Sequence, residues 1–241
     1  DSYYKHLVLW NKKDKAVVGA YRLGFGDEIL RKYSLGGFYS NTLFRYRPEF
    51  KIYLKRAIEL GRSFVALEYQ KDPLSLMLLI KGLMYTVIRN PQVRYLIGPV
   101  SISAWYPAFY RSLMIHYLKL HHGRSSISKW VNPKQRYIPN YHRVDVNSLL
   151  KGKMDSVEKF DRFIYRLSNN KFRLPTLLKK YIKINSRIIA YNVDPLFNNC
   201  VDGLIMLDVY DVPKQEIDTL SKEISDKTEV YKRFGITDEL V

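Results

Sequence analysis

The chain has 241 residues with 46% apolar content, enough for one large domain with a full core or for two small ones. Its formal charge is +17, with the basic surplus in residues 1–207 (35 basic, 14 acidic) and an acidic remainder in residues 208–241 (5 basic, 9 acidic), so the body calls for an anionic partner: nucleic acid, anionic lipid or an acidic protein. One cysteine, Cys200, excludes a disulfide framework and a cysteine-rich zinc site, no metal cage is visible, and no run reaches the ~20 apolar residues of a membrane span.

The lone cysteine makes a reducing cytoplasm the expected compartment; there is no secretory signal, and a chain opening on Asp1 reads as a piece of something longer. Residues 6–10 read as a strand, Asn11-Lys12-Lys13-Asp14-Lys15 as a turn, and 16–23 as a second strand antiparallel to the first. Residues 24–44 are rich in Gly and aromatics around Gly36-Gly37-Phe38-Tyr39-Ser40, a loop long enough to line something. A short helix is expected in 43–54 and a strand at 57–67. Pro73 opens a helix in which Leu74, Met77, Leu78, Leu83 and Ile88 keep helical spacing until Asn90-Pro91. A strand at 94–103 follows, then a helix from Pro107 to His121-His122-Gly123. Residues 124–175, polar, basic and broken by Pro133, Pro139 and Pro175, carry no readable pattern. A basic amphipathic helix at 177–184, a strand at 187–192, a turn at Asp194-Pro195 and a strand at 204–209 complete the body. Ile217, Leu220 and Ile224 give the tail one amphipathic helix between 213 and 234. This order predicts one α/β domain, a mixed sheet with helices on its faces.

Two strands carry charge among β-branched and aromatic residues. Val18-Gly19-Ala20-Tyr21-Arg22-Leu23 holds Arg22, and Glu59-Leu60-Gly61-Arg62-Ser63-Phe64-Val65 holds Glu59 and Arg62. Ions there need a partner or a task. Residues three apart on a regular strand face opposite sides, so Glu59 and Arg62 share a cleft only if the strand is irregular, and Gly61 permits a bulge. Each has a plain structural alternative: Arg62 as a buried ion paired with Glu59 or another acid, Arg22 as a salt bridge at the core edge, Phe38, Phe64 and Trp105 as ordinary core. Asp194-Pro195 with Asn198 is most simply turn chemistry.

In this order, those two strands, Gly37-Phe38-Tyr39-Ser40, Leu174-Pro175-x-Leu177-Leu178-Lys179-x-Tyr181 and Asn192-Val193-Asp194-Pro195-x-Phe197-Asn198 resemble the haemolysin-like branch of the GNAT superfamily. That branch includes the N-acyltransferases that begin ornithine-lipid and glycine-lipid synthesis, and the Glu-x-x-Arg strand is also similar to that of acyl-homoserine-lactone synthases. The resemblance covers residues 1–212 and implies a GNAT-like α/β acyltransferase fold, with a mixed, mostly antiparallel central sheet and helices on both faces; residues 213–241 are left as an acidic helical tail. It implies a (3-hydroxy)acyl chain on the phosphopantetheine of acyl carrier protein as donor, no permanently bound cofactor or metal, and the amine of a small amino acid as acceptor, with glycine and ornithine both open. The family fold has a strand and two helices before the point where this chain starts. Relatives fuse such a domain to a lysophospholipid-type acyltransferase domain, which makes a fused or adjacent domain of that kind an expected partner; its His-x-x-x-x-Asp signature is absent here.

Acetyl-CoA-using GNAT enzymes follow the strand corresponding to 57–67 with a glycine-rich turn that cradles a pyrophosphate. Here that turn is Glu68-Tyr69-Gln70-Lys71-Asp72-Pro73, with no glycine and two acids. Free CoA is therefore disfavoured, and an acidic carrier protein suits the basic body. Aminolysis of a thioester needs a neutral amine held at the carbonyl, and near-attack positioning accounts for ~7–11 kcal/mol of such barriers. Glu59, with Arg62 beside it, is the candidate to anchor the ammonium and take its proton, an effect of ~10²–10⁴-fold. Arg22 is the candidate for the acceptor's carboxylate. Phe38, Phe64 and Trp105 are candidates for the acyl tunnel, and Ser101 or Ser103 would assist backbone N–H groups at the oxyanion, each donor worth ~3–4 kcal/mol. Two rival readings stay open. A nucleic-acid module would draw on the charge and 20 tyrosines, without an RNA-binding signature. A membrane-surface, haemolysin-like protein would use Lys179, Lys180 and Lys183 around Leu177, Leu178, Tyr181 and Ile182. That helix also suits an enzyme peripheral to the inner membrane; the acyltransferase reading expects an anionic membrane surface as a partner and no nucleic acid.

Overall fold

The computed structural model describes residues 2–152 and 155–236; the end of the expected tail, 237–241, lies outside the described residues. The strands are β1 (Lys5–Asn11), β2 (Ala16–Phe25), β3 (Phe44–Tyr46), β4 (Ala57–Val65), β5 (Tyr95–Ile102), β6 (Val131–Pro133), β7 (Arg187–Asp194) and β8 (Cys200–Asp208). The first helices are α1 (Gly26–Tyr33), α2 (Lys51–Leu54), α3 (Pro73–Ile88), α4 (Ala108–His122) and α5 (Ser125–Ser128). They are followed by α6 (Val146–Leu150), α7 (Val157–Leu167), α8 (Thr176–Lys183), α9 (Lys214–Leu220) and α10 (Lys227–Arg233). Two compact units interleave along the chain: Asp1–Thr42, Pro48–Gly98 and Leu207–Val241 form the first, Leu43–Arg47 and Pro99–Met206 the second.

In the first unit β1 and β2 pair antiparallel from Lys5/Leu23 to Asn11/Ala16. Asn11 closes their turn, its Oδ1 accepting from the N–H groups of Lys13 and Asp14 at 2.9 and 3.1 Å. β2 pairs antiparallel with β4 on its other edge, and β4 pairs parallel with β5 through Ala57/Tyr95, Ile58/Leu96 and Glu59/Ile97. The pairing is mixed and mostly antiparallel, as expected. Asp72 caps α3 by accepting from the Leu74 N–H at 2.9 Å, with Pro73 in the first turn. The helix packs on β1 and β2, and its one buried charge, Lys81, pairs with Glu223 at 2.6 Å. Arg94 forks onto the buried Asp208 through Nε and Nη2 at 2.8–3.0 Å.

Several elements of this unit differ from the sequence expectation. Residues 26–33, read as loop from their glycines, form α1: Asp27 and Glu28 in its first turn and Arg31 and Lys32 in its last suit the helix dipole. Gly26 serves close approach instead, since a Cβ there would fall 1.8 Å from the Leu54 carbonyl oxygen. Residues 43–54 hold strand β3, a 3-10 turn and the single turn α2 rather than one helix. From 213 onward there are two short helices rather than one, the second capped by Asp226. Arg233 fastens it by donating to the carbonyls of Val87 (3.0 Å) and Val93.

In the second unit β8 lies beside β5 and pairs antiparallel with β7 from Arg187/Met206 to Asp194/Cys200, while β3 and β6 form a separate pair. β8 begins four residues before the expected 204: all nine of its residues are buried, which leaves no alternation to read. The core gathers α4, α7, α8 and the strand faces, with Tyr117 stacked on Phe160 at 4.1 Å and 6°. α7 lies in the stretch without a readable pattern; Ser156 caps it at the Lys159 N–H (3.2 Å), and Phe160 and Ile164 are buried. Asp161 on the same helix accepts from Arg173 (2.9 Å), the Leu174 N–H (2.8 Å) and Lys179 (3.2 Å). Leu178, Tyr181 and Ile182 of α8 are buried in this core. The interfacial helix of the membrane-surface reading is therefore corrected: its apolar face is already occupied, and Lys179 is tied to Asp161.

Candidate active site

Glu59 stands at the last pair of the parallel β4–β5 ladder and is 2% exposed. Its carboxylate accepts four hydrogen bonds: from the Tyr4 hydroxyl, the Tyr39 N–H at 2.9 Å, the Ser40 N–H at 2.7 Å and the Ser40 hydroxyl. Tyr4 in turn accepts from the Tyr39 N–H at 3.0 Å, and Tyr3 donates to the Gly37 carbonyl at 2.6 Å. One carboxylate thus laces residues 39–40 to β4. Burial, and after it the Glu59 charge, push the Tyr4 phenol far above the usual tyrosine range and keep it a donor. Arg22, 3% exposed, places Cζ 4.3 Å from the Tyr4 ring centroid and 5.1 Å from that of Tyr39. Gly61 makes room for it, because a Cβ there would lie 3.2 Å from Arg22 Nη2.

Beyond Glu59 the strand changes character. The β2–β4 register jumps from Arg22/Gly61 to Ala20/Phe64, which inserts an extra residue in β4. The positive φ of this bulge, 45°, falls on Arg62 rather than on Gly61. Arg62, Ser63 and Phe64 are exposed, whereas residues 57–60 are buried. Past Glu59/Ile97 no further β4–β5 pair forms among the described residues, though Gly98 still approaches closely: a Cβ would fall 2.3 Å from the Leu60 carbonyl oxygen. A 3-10 turn at Leu67–Tyr69 then leads into α3. The Asp72 carboxylate takes the first N–H of that helix, that of Leu74, and sets a negative charge at its N-terminus.

The second unit supplies a different arrangement. Ser101, exposed on β5, donates its hydroxyl proton to Asp202 Oδ1 at 2.5 Å. Asp202 is buried within β8, and burial above all raises its carboxyl pKa, with Asp194 adding to the rise and Ser101 and Cys200 opposing it. An exposed hydroxyl backed by a reluctantly charged carboxylate is a proton relay in form. Burial pushes the neighbouring Cys200 thiol up to about 12, so it is no nucleophile.

The residues singled out from sequence therefore separate. Glu59, Arg22 and Phe38 are sealed inside the first unit; no face of the Glu59 carboxylate is open to an amine, and the Arg22 guanidinium lies under tyrosine rings. Their direct roles as proton acceptor, carboxylate clamp and tunnel wall are corrected to holding the structure. Arg62 and Phe64 are exposed on the bulge, which also corrects the alternative of Arg62 as a buried ion. Ser101 is committed as a donor to Asp202, Ser103 accepts from the Trp105 N–H at 3.1 Å, and Trp105 is 70% exposed against Tyr106 and Phe172. The sequence reading missed Tyr4, Ser40 and Asp202. An acid near the start of β8, among Cys200, Val201 and the apolar run from Leu204 to Leu207, was the signal for Asp202.

Residues 1–80 match the model of the acetyltransferase (GNAT) domain family. The chain is similar to a glycine N(alpha)-acyltransferase of Phocaeicola vulgatus, 28% identical over 205 residues, 81% of this chain and 56% of the relative. A glycine N(alpha)-acyltransferase of Bacteroides thetaiotaomicron is 33% identical over 128 residues, 49% of this chain and 37% of that one. The chain thus spans little more than half the length of the first relative. Among solved structures, it matches a CoA-dependent acyl-homoserine lactone synthase at TM-score 0.40 and 10% identity, covering 98% of this chain and 78% of the other. A GNAT-like decarboxylase in complex with isobutyryl-CoA matches at TM-score 0.38 and 14% identity, covering 84% and 77%.

Proposed function

We propose that this chain is an N-acyltransferase that moves an acyl group, 3-hydroxylated in the expected donor, from a carrier-protein thioester to the amine of a small amino acid, glycine first, in the making of an aminolipid. The likeness to glycine N(alpha)-acyltransferase across 81% of the chain carries this reading. The donor is argued from α3: with the Asp72 carboxylate on its N-terminus, the pyrophosphate of free CoA meets a negative charge, while a pantetheine arm with one phosphodiester demands less. The positive body attracts the acidic carrier.

In the reaction the amine nitrogen attacks the thioester carbonyl, the C–N bond forms, the C–S bond breaks, and the amine's proton ends on the departing thiol. Ser101 Oγ accepts that proton as it passes its own to Asp202, whose raised carboxyl pKa makes it a willing acceptor, and the same path run in reverse then protonates the departing thiolate and restores the Asp202 carboxylate. Trp105, with Tyr106 and Phe172, offers an aromatic surface to an aliphatic chain, and Ser103 fixes the Trp105 backbone. Glu59 and Arg22 are positioning residues. Exposed Leu196 and Phe197 on the β7–β8 turn are the contact with an anionic membrane that receives the product. A lysophospholipid-type acyltransferase domain, fused or adjacent, is the proposed partner.

The test incubates the chain with 3-hydroxyacyl carrier protein or the matching CoA thioester and a panel of amino acids, and reads product masses. An N-acylated glycine formed faster from the carrier is expected. Hydrolysis alone, or no turnover with folded protein, would overturn the reading.

A further inference from the structure

The second unit contains an open basin of about 810 Å³ at the C-terminal end of α4, bordered by β6 and the first half of β7. Its floor includes Val131, Ile188, Ile189 and Ala190, all buried. Lys119 and Arg136 stand on its wall, and none of the residues lining it is acidic. Lys119 Nζ lies 5.4 Å from the Tyr191 ring centroid. Desolvation first, and Arg136 next, lower the Lys119 ammonium pKa, so the two cations are near enough to repel. Neither forms an ion pair among the described residues, although exposed lysines elsewhere do, as Lys5 with Glu28 and Lys159 with Asp155. Tyr191 is a further residue of the lining. It is buried in the same wall, and its hydroxyl has no hydrogen bond, whereas that of Tyr137 is engaged by Ser112.

Two like charges held together without an acid are costly, and an anion between them removes that cost. A bare anion would leave the apolar floor wet, whereas an aliphatic chain would cover it. We infer that this basin binds an anionic amphiphile, with a phosphate or carboxylate head between Lys119 and Arg136 and an aliphatic chain on Val131, Ile188 and Ala190. Neither Ser101 nor Asp202 lines it, so the inference stands apart from the proposed chemistry.

Calorimetric titration of the whole chain with decyl phosphate and decanoate below their micellar concentrations, decanol below its solubility limit, and inorganic phosphate tests it. Decyl phosphate and decanoate are expected to saturate at one site, and decanol and inorganic phosphate to bind about tenfold more weakly or worse. The preference between the first two tells a phosphate head from a carboxylate head. Lys119→Gln/Arg136→Gln should lower affinity for decyl phosphate by about tenfold or more, while Lys12→Gln/Lys13→Gln, which removes the same charge from the β1–β2 turn, should leave it unchanged. Both pairs lie at the surface, and melting curves confirm that each variant is folded. Equal affinity for decanol, inorganic phosphate matching decyl phosphate, equal losses in both double variants, or no saturable binding would each overturn the inference.

Discussion

Glu59→Gln separates a structural carboxylate from a chemical one. The wild-type group accepts four hydrogen bonds while almost wholly buried. A glutamine keeps one oxygen for two of these donors and turns an NH₂ toward the other two, leaving donor facing donor. Losing two bonds to a charged acceptor costs about 3–6 kcal/mol, and removing a buried charge offsets part of it, for a net loss of roughly 3 kcal/mol. In a chain of 241 residues each kcal/mol lowers the melting temperature by ~2–4 °C. Thermal melting by circular dichroism should therefore show a drop of roughly 6–12 °C. Acyl transfer below that transition should fall by less than about tenfold, well short of the ~10²–10⁴-fold of a lost proton acceptor. A variant that melts within about 2 °C of the parent yet loses turnover by about a thousandfold would refute the assignment and return Glu59 to the chemistry.

Asp202→Asn keeps an oxygen for Ser101 but no longer takes a proton, so transfer should fall ~10²–10⁴-fold with the rise of rate with pH lost, as measured by kcat across a pH series. The folded carboxyl pKa is raised, so its contribution to stability is present below the unfolded value near ~3.9 and is lost as pH rises through the folded value. Melting curves of the asparagine variant should accordingly gain on the parent as pH rises above about 4; an unchanged difference would contradict the desolvated carboxylate. Gly98→Ala drives a Cβ to 2.3 Å from the Leu60 carbonyl and should cost about 3 kcal/mol or more in urea denaturation, while a neutral result would mean that β5 shifts freely. Asp72→Ser retains the α3 cap but removes its charge; KM for the CoA thioester should fall with KM for the carrier thioester unchanged, and no change in either would remove Asp72 as the selector.

What was legible in the sequence followed from alternation and punctuation. Asn11 through Lys15 marked the hairpin, Asp72-Pro73 marked the start of α3, and the bulge was readable from Gly61, although the strained φ falls on Arg62. Charges within strands pointed to Arg22 and Glu59, but sequence does not say which face is sealed: Tyr4, far away in the chain, and Ser40 close over Glu59 only in three dimensions. α1 escaped because its glycine marks close packing on Leu54 rather than a loop. α7 escaped because the prolines and basic residues around it mask an amphipathic face fixed by Asp161. Asp202 is one of two acids among nine buried strand residues, and its meaning depends on Ser101, a partner 101 positions earlier.

The most direct measurement supplies ¹⁵N-glycine and 3-hydroxyacyl carrier protein to the parent chain and to Asp202→Asn, and follows the mass of the acylated amine over time. Labelled N-acylglycine from the parent, with the folded variant slower by at least about a hundredfold, is the expected result. Equal product from both, or a thioester consumed without any label in an amide, would contradict amine acylation through Ser101 and Asp202.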